Sequence, residues 1–173
     1  SLEVLRHAGR VSSSLPCSSI FAVDRLSITP EPGQYVVLNY MRGGGHFEFG
    51  QSIDAAGWER NFTALVRRLA RTEKCVLVCH NDKERAAARN LLPEIATFQS
   101  KDYQEYLRFY AGAKYGIMNR VHGAFALASL GKPAVVIGSD SRARMAGMIG
   151  LEDVFVNDAT PEWLESHRDD VDV

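Results

Sequence analysis

The sequence predicts an α/β fold, a Rossmann-like, doubly wound, mostly parallel six-stranded sheet with helices on both faces. Two observations carry this. Short apolar runs of strand type alternate with helical periodicities from residue 35 onward. The links between them are short, so each helix returns the chain to lay the next strand parallel to the last. Six strands in this cadence suggest the order 3-2-1-4-5-6.

The elements follow in order. Residues 2–9 read as a short helix ending at Gly9, followed by a Ser-rich connector and an extended run, Ser19–Val23. Thr29-Pro30-Glu31-Pro32-Gly33 punctuates the chain. It divides an N-terminal helix and extended crossover segment (1–33) from a Rossmann-like C-terminal domain (34–173). Tyr35–Met41 is a strand. Ala55–Arg71 is a helix with an apolar stripe of Trp58, Phe62, Leu65, Val66 and Leu69. Cys75–Cys79 is a strand, Asp82–Leu92 a helix stopped by Pro93, and Ile95–Phe98 a brief strand. Tyr103–Ala113 is helical. Strand 115–118, helix 122–130, strand 134–138, helix 142–149 and strand 153–156 follow, and a last helix begins near Thr160-Pro161-Glu162.

Composition bounds the function. The 173 residues suit one sizeable core, with 46% hydrophobic and 24% charged residues. A net charge of −1 argues against a broad nucleic-acid surface. No apolar run nears the ~20 residues of a bilayer span. Cys75 and Cys79 read as core thiols, and with Cys17 they suit a reducing cytoplasm. No HExxH, CxxC or carboxylate cluster suggests a metal. Asn61-Phe62-Thr63 lies in a helical pattern and reads as an accidental glycosylation sequon.

The chemistry-bearing residues fall at strand ends. In the predicted order the chain reverses direction between strands 1 and 4, and ligands bind in the crevice there. Strand 1 runs into Arg42-Gly43-Gly44-Gly45-His46, and strand 4 into Asn119-Arg120-Val121-His122-Gly123. Fold logic therefore brings two Arg/His turns together. Arg120 suits an anion clamp, because a guanidinium forks onto phosphate or carboxylate oxygens. His122 suits acid/base chemistry, at a helix start whose free N–H groups attract anions. The bland alternative is a surface arginine and an imidazole that holds the turn. The Gly43–Gly45 run would let backbone approach a ligand, or is simply a flexible loop. It matches neither a dinucleotide nor a Walker loop, so no NAD or ATP site follows. His46 is as readily a solvent-facing loop residue as a contact. Asp140, Arg142 and Arg144 either start a solvated helix or rim the crevice. Tyr103, Tyr106, Phe109 and Tyr110 read as one packing face, and Asn81 or Asp82 as a helix cap.

The chain resembles the polysaccharide pyruvyl transferase family. The resemblance rests on Tyr103-Gln104-Glu105-Tyr106-Leu107, the turn Asn119–Gly123, Leu130-Gly131-Lys132-Pro133, Val135-Val136-Ile137-Gly138-Ser139-Asp140 and Gly150-Leu151, across residues 35–157. Leu5-Arg6-His7-Ala8-Gly9 and Val23-Asp24 look like that family's crossover from its first domain. Where a lysine is expected after Asp140, this chain has Arg142 and Arg144. The resemblance implies a GT-B-like enzyme of two domains, of which this chain is mainly the C-terminal half.

Its implied reaction moves the enolpyruvyl group of phosphoenolpyruvate onto sugar hydroxyls as a ketal, in exopolysaccharide or cell-wall glycan synthesis. No cofactor is expected, phosphoenolpyruvate being the donor. The partners are a saccharide or lipid-linked glycan acceptor and the missing N-terminal domain. Nucleic acid is not expected as a partner. The expected location is cytoplasmic or peripheral to the inner face of the membrane. His122 is then the proton donor. Arg42, Gly43, Gly44, His46, Arg120, Gly123, Asp140 and Arg142 hold substrate, and the general base lies in the missing half. Alternatives are a GT-B nucleotide-sugar glycosyltransferase or epimerase domain, although no clear ribose-binding Glu follows strand 4 or 5, and a non-catalytic sugar-binding module.

Overall fold

The computed structural model describes residues 7–9, 17–45 and 51–166. Six strands form one sheet: β1 (Tyr35–Asn39), β2 (Cys75–Val78), β3 (Ala96–Phe98), β4 (Ala113–Met118), β5 (Ala134–Gly138) and β6 (Glu152–Phe155). Their order is β3-β2-β1-β4-β5-β6, and every pairing is parallel. Fold class and strand order are as predicted.

The helices are α1 (Ala22–Leu26), α2 (Ala55–Leu69), α3 (Asp82–Leu91), α4 (Tyr103–Ala111), α5 (Val121–Ser129) and α6 (Pro161–Ser166). Asp54 caps α2 by accepting from Gly57 N, Asn81 caps α3 by accepting from Glu84 N, and Asp102 caps α4 by accepting from Gln104 N. α5 has no side-chain cap.

Alternate strand residues face two cores. Val36, Leu38, Leu77, Ile117 and Ile137 pack with Trp58, Phe62 and Leu65 of α2. Val37, Val78, Met118 and Val136 pack with Tyr110 of α4 and Phe125 and Leu127 of α5. α5 buries Gly123, Ala124, Phe125, Ala126 and Leu127 in succession, so it needs cover on more than its sheet side. A 3₁₀ turn at Ser18–Phe21 and α1 lie against it, with Val23 buried in the same cluster.

That packing corrects the extended run expected over Ser19–Val23. Ala22, Val23 and Leu26 turn toward one apolar cluster at helical spacing, and Ser27, at φ 50°, ends the helix. The helix expected over 142–149 is instead a 3₁₀ segment, Ala143–Ile149. Its buried residues, Ala143 and Ala146, are three apart, the 3₁₀ repeat. Tyr103 leaves the expected packing face of α4: it is exposed while Tyr110 is buried. Cys75 and Cys79 are free and buried, as expected, and burial pushes both thiols up to about 11. Most of the helix expected over 2–9 lies outside the described residues.

Candidate functional site

The site is built where β1 and β4 part at their C-terminal ends. Two buried asparagines replace the ladder there. Asn39 donates through Nδ2 to Val78 O (2.9 Å), and its Oδ1 accepts from Arg120 N (3.0 Å). Asn119 accepts from Met41 N (2.8 Å) and donates to Ile137 O (2.8 Å). Four strand ends are laced together in this way, and every polar atom of both amide groups that the lacing uses is paired inside the protein.

Beyond the lacing opens a cavity of about 310 Å³. Arg120, His122, Gly123, Gly44, Asp140 and Arg142 line it, so six of the predicted site residues converge. Gly44 sits at φ 70°, and a Cβ there would run into Val156. A Cβ on Gly45 would collide with Ser139 Oγ. The loop after β1 can lie against the ends of β5 and β6 only because it is glycine. Arg42 is exposed and, with Gly43, is not among the lining residues; its charge acts instead on the Tyr40 hydroxyl. The structure does not bring Arg42 to the crevice. His46 lies outside the described residues.

The two lining arginines are not the free clamps the sequence suggests. Arg120 donates from Nε to Glu84 Oε1 (3.0 Å), and its Nη2 closes on the same oxygen. Arg142 donates from Nε (3.2 Å) and Nη2 (2.6 Å) to Asp140 Oδ2. The carboxylate partner of Arg120 comes from α3, 36 residues earlier, so no local pattern shows the pair. Burial alone would push the Glu84 carboxyl up. Hydrogen bonds from His80 and Arg120 outweigh it and hold the group at about 2.

His122 is exposed in the first turn of α5, edge-on to Phe125 with ring centroids 6.3 Å apart. Arg120 is the N-cap of that helix and supplies no side-chain cap. No side chain caps the first turn of α5, and its N–H groups stand beside a guanidinium and an imidazole, the arrangement that holds a phosphate or carboxylate.

Three lining or supporting residues escape sequence reasoning. His80 follows β2, stacks flat on Tyr106 (4.9 Å, 5°) and lies 3.5 Å through Nδ1 from Glu84 Oε2. Glu84 is readable only as the fourth member of Asn81-x-x-Glu84, a capping-box pattern. Asn39 is visible as the one amide in the apolar run Tyr35–Met41. Ser139 also lines the cavity, its hydroxyl buried under Gly45 without a hydrogen-bond partner among the described residues.

A second cavity, of about 640 Å³, shares Gly138, Ser139, Asp140 and Ala143 with the first. Gln51, Arg144, Asp153 and Phe155 extend it along the sheet edge. Among the described residues no group of three His, Cys, Asp or Glu side chains could hold a metal. Among them, too, no helix is long and apolar enough to cross a membrane.

No protein-family model and no curated protein matches the chain. Solved structures do. The E. coli heptosyltransferase WaaC with ADP aligns at a TM-score of 0.62 and 16% identity, over 96% of this chain and 53% of that one. The same enzyme with ADP-2-deoxy-2-fluoro heptose gives 0.61 and 15%, over 96% and 52%. The UDP-GlcNAc 2-epimerase from Neisseria meningitidis bound to UDP-GlcNAc gives 0.54 and 13%, over 99% and 44%. The chain thus spans about half the length of these structures, and at this identity the likeness is one of fold. Its architecture is that of one half of a GT-B-like fold.

Proposed function

We propose that this chain is the donor-binding half of a GT-B-like transferase, which moves a group from a phosphorylated donor onto a saccharide hydroxyl. One observation carries the reading: the N-terminus of α5, without a side-chain cap and flanked by Arg120 and His122, faces a cavity at the switch point of the sheet. Phosphate is the anion that such a site suits. Neither arginine need leave its carboxylate for this, because the guanidinium of Arg120 keeps donors that Glu84 does not use.

Two donors fit, and different observations favour each. The turn Asn119–Gly123, with its resemblance to polysaccharide pyruvyl transferases, favours phosphoenolpyruvate. In that reaction His122 delivers a proton to the enol methylene carbon. An acceptor hydroxyl loses its proton and bonds to the adjacent carbon. The C–O bond to phosphate then breaks as a second hydroxyl closes the ketal; of the two hydroxyl protons, one restores His122 and the other leaves with inorganic phosphate. The second reading is a nucleotide-sugar donor. The adjoining cavity of about 640 Å³ favours it, with room for more than a three-carbon acid. So do the fold neighbours, whose structures hold ADP or UDP-GlcNAc. Asp153, which lines that cavity, is then the acidic group available to a ribose. The acceptor, and the second domain that would position it, belong to the proposal in either case.

The test is a titration of the 173-residue chain with phosphoenolpyruvate, ADP, UDP and GDP, followed by NMR shifts. Shifts at Val121–Gly123 with phosphoenolpyruvate alone would select the pyruvyl reading. Tighter binding of a nucleotide, with shifts reaching Asp153, would select the other. Arg120→Ala should abolish whichever binding is seen, because a charge-assisted contact is worth about 1.5–3 kcal/mol and the affinity of a half-site is low. Binding that survives this change would place the anion elsewhere.

A further inference from the structure

The guanidinium of Arg120 is held by a residue that the sequence shows only as part of a helix cap. We propose that Glu84 is the positioning residue of the crevice: it fixes Arg120 so that the edge it leaves free meets the phosphate of the bound donor. This rests on the phosphorylated-donor reading above.

Glu84 is 8% exposed and stands at the third position of α3. Neither of its oxygens is free to turn. Oε2 accepts from His80 N at 3.0 Å. Oε1 accepts from Asn81 Nδ2 at 2.9 Å and from Arg120 Nε at 3.0 Å, with Arg120 Nη2 on the same atom. The Asn81 Oδ1 accepts in return from Glu84 N at 2.9 Å. The carboxylate is therefore part of the β2–α3 corner, and the corner is rigid.

The guanidinium inherits that rigidity. It carries five N–H donors in one plane. Glu84 occupies the edge made by Nε and one hydrogen of Nη2. The opposite edge remains, on a residue that lines the cavity. The other end of Arg120 is fixed as well, because its backbone N–H donates to Asn39 Oδ1. An arginine already held at both ends gives up little rotamer freedom when a ligand arrives. Its charge is also directed: the plane set by Glu84 decides which oxygens a bidentate contact can reach.

A carboxylate so close to an anion site could instead act as a competitor that weakens binding, and the two roles predict opposite results. The experiment titrates inorganic phosphate, phosphoenolpyruvate and ADP into the full chain and into Glu84→Gln and Asp102→Ala, with the Arg120 Nε–H resonance followed by NMR. Glutamine cannot replace the carboxylate, since its amide would set N–H groups against either His80 N or Arg120. Asp102→Ala removes the cap of α4 and touches neither Glu84 nor Arg120.

Positioning predicts that Glu84→Gln weakens the bound probe by about tenfold or more and collapses the distinct Nε–H signal. It also predicts that Asp102→Ala, at a similar loss of thermal stability, keeps the affinity within about twofold. Unchanged or tighter binding by Glu84→Gln would overturn the proposal. So would an equal loss in Asp102→Ala, which would reduce the effect of Glu84 to general destabilisation. If the wild-type chain binds none of the three probes, the donor reading falls and this ligand role with it. Binding by the wild type with no loss in Glu84→Gln would sink the positioning role alone.

Discussion

At the residue scale, the crevice works by pairing charge rather than by exposing it. Arg120 with Glu84 and Arg142 with Asp140 leave His122 as the lining group best placed to move a proton. His122→Gln in an enzyme containing this chain should therefore cost turnover about 10²–10⁴-fold, because glutamine keeps polarity but cannot exchange a proton near neutral pH. Steady-state kinetics with the true donor and acceptor would show this, and turnover within a few-fold of wild type would remove His122 from the reaction. Glu84 gives a second handle. Its carboxyl is depressed from 4.5 to about 2, so the folded state favours the charged form. The stability it contributes is fully present above pH 4.5 and is lost as pH falls from there toward 2. Other carboxylates titrate in the same window, so the difference between wild type and Glu84→Gln is the quantity to follow by thermal melts. That difference should shrink across the window; a difference independent of pH would mean that Glu84 acts through packing alone. Arg120 and His122 are legible in the sequence because one turn carries both. Glu84 and His80 are not, because their meeting with Arg120 is made by the parallel crossing of β2 and β4 on either side of β1.

At the scale of elements, the strand ends matter more than the strands. Asn39 and Asn119 satisfy backbone groups that the parting of β1 and β4 would otherwise leave unpaired. Asn119→Ala should strand the Met41 N–H and the Ile137 carbonyl together. Each buried orphan costs about 1–3 kcal/mol. Urea unfolding should show a loss of at least about 2 kcal/mol at an unchanged m-value. A loss below about 0.5 kcal/mol would mean that water replaces the amide, and that the lacing does not hold the crevice open. The strands themselves were readable because a parallel strand covered on both faces must be apolar throughout, as β1, β2 and β5 are. The segments misread were those whose partner is tertiary. Ser18–Leu26 is helical because α5 needs a cover, and Ala143–Ile149 is 3₁₀ because two alanines three apart are what it buries. Arg42 departs from its expected place for a related reason: the left-handed turn at Gly43 and Gly44 takes the loop toward Val156 and leaves the guanidinium outside the crevice lining.

At the scale of the whole molecule, the sheet makes one folding unit of two cores. Val36 and Leu38 face one core and Val37 the other, so neither core can melt without taking β1 with it. The 173-residue chain should accordingly unfold in one step. Trp58 fluorescence, which reports the α2 side, should coincide with far-UV circular dichroism, which reports both sides. The same chain should transfer nothing by itself. Its crevice is walled by strand ends and loops on the sheet side, and the structures of like fold are about twice its length. On the proposed reading, a crevice walled on this side alone would leave a donor phosphate in water and hold no acceptor hydroxyl at attacking distance. Anion binding should outlast this loss, because Arg120, His122 and the start of α5 all belong to this chain. The deciding measurement is a transfer assay run beside a phosphoenolpyruvate and nucleotide titration on the same preparation. Weak binding without turnover is the expected pair of results. Robust transfer by this chain alone would show that the crevice closes without a second domain, and that the base for the acceptor hydroxyl is among its own residues, with His80 the first to replace.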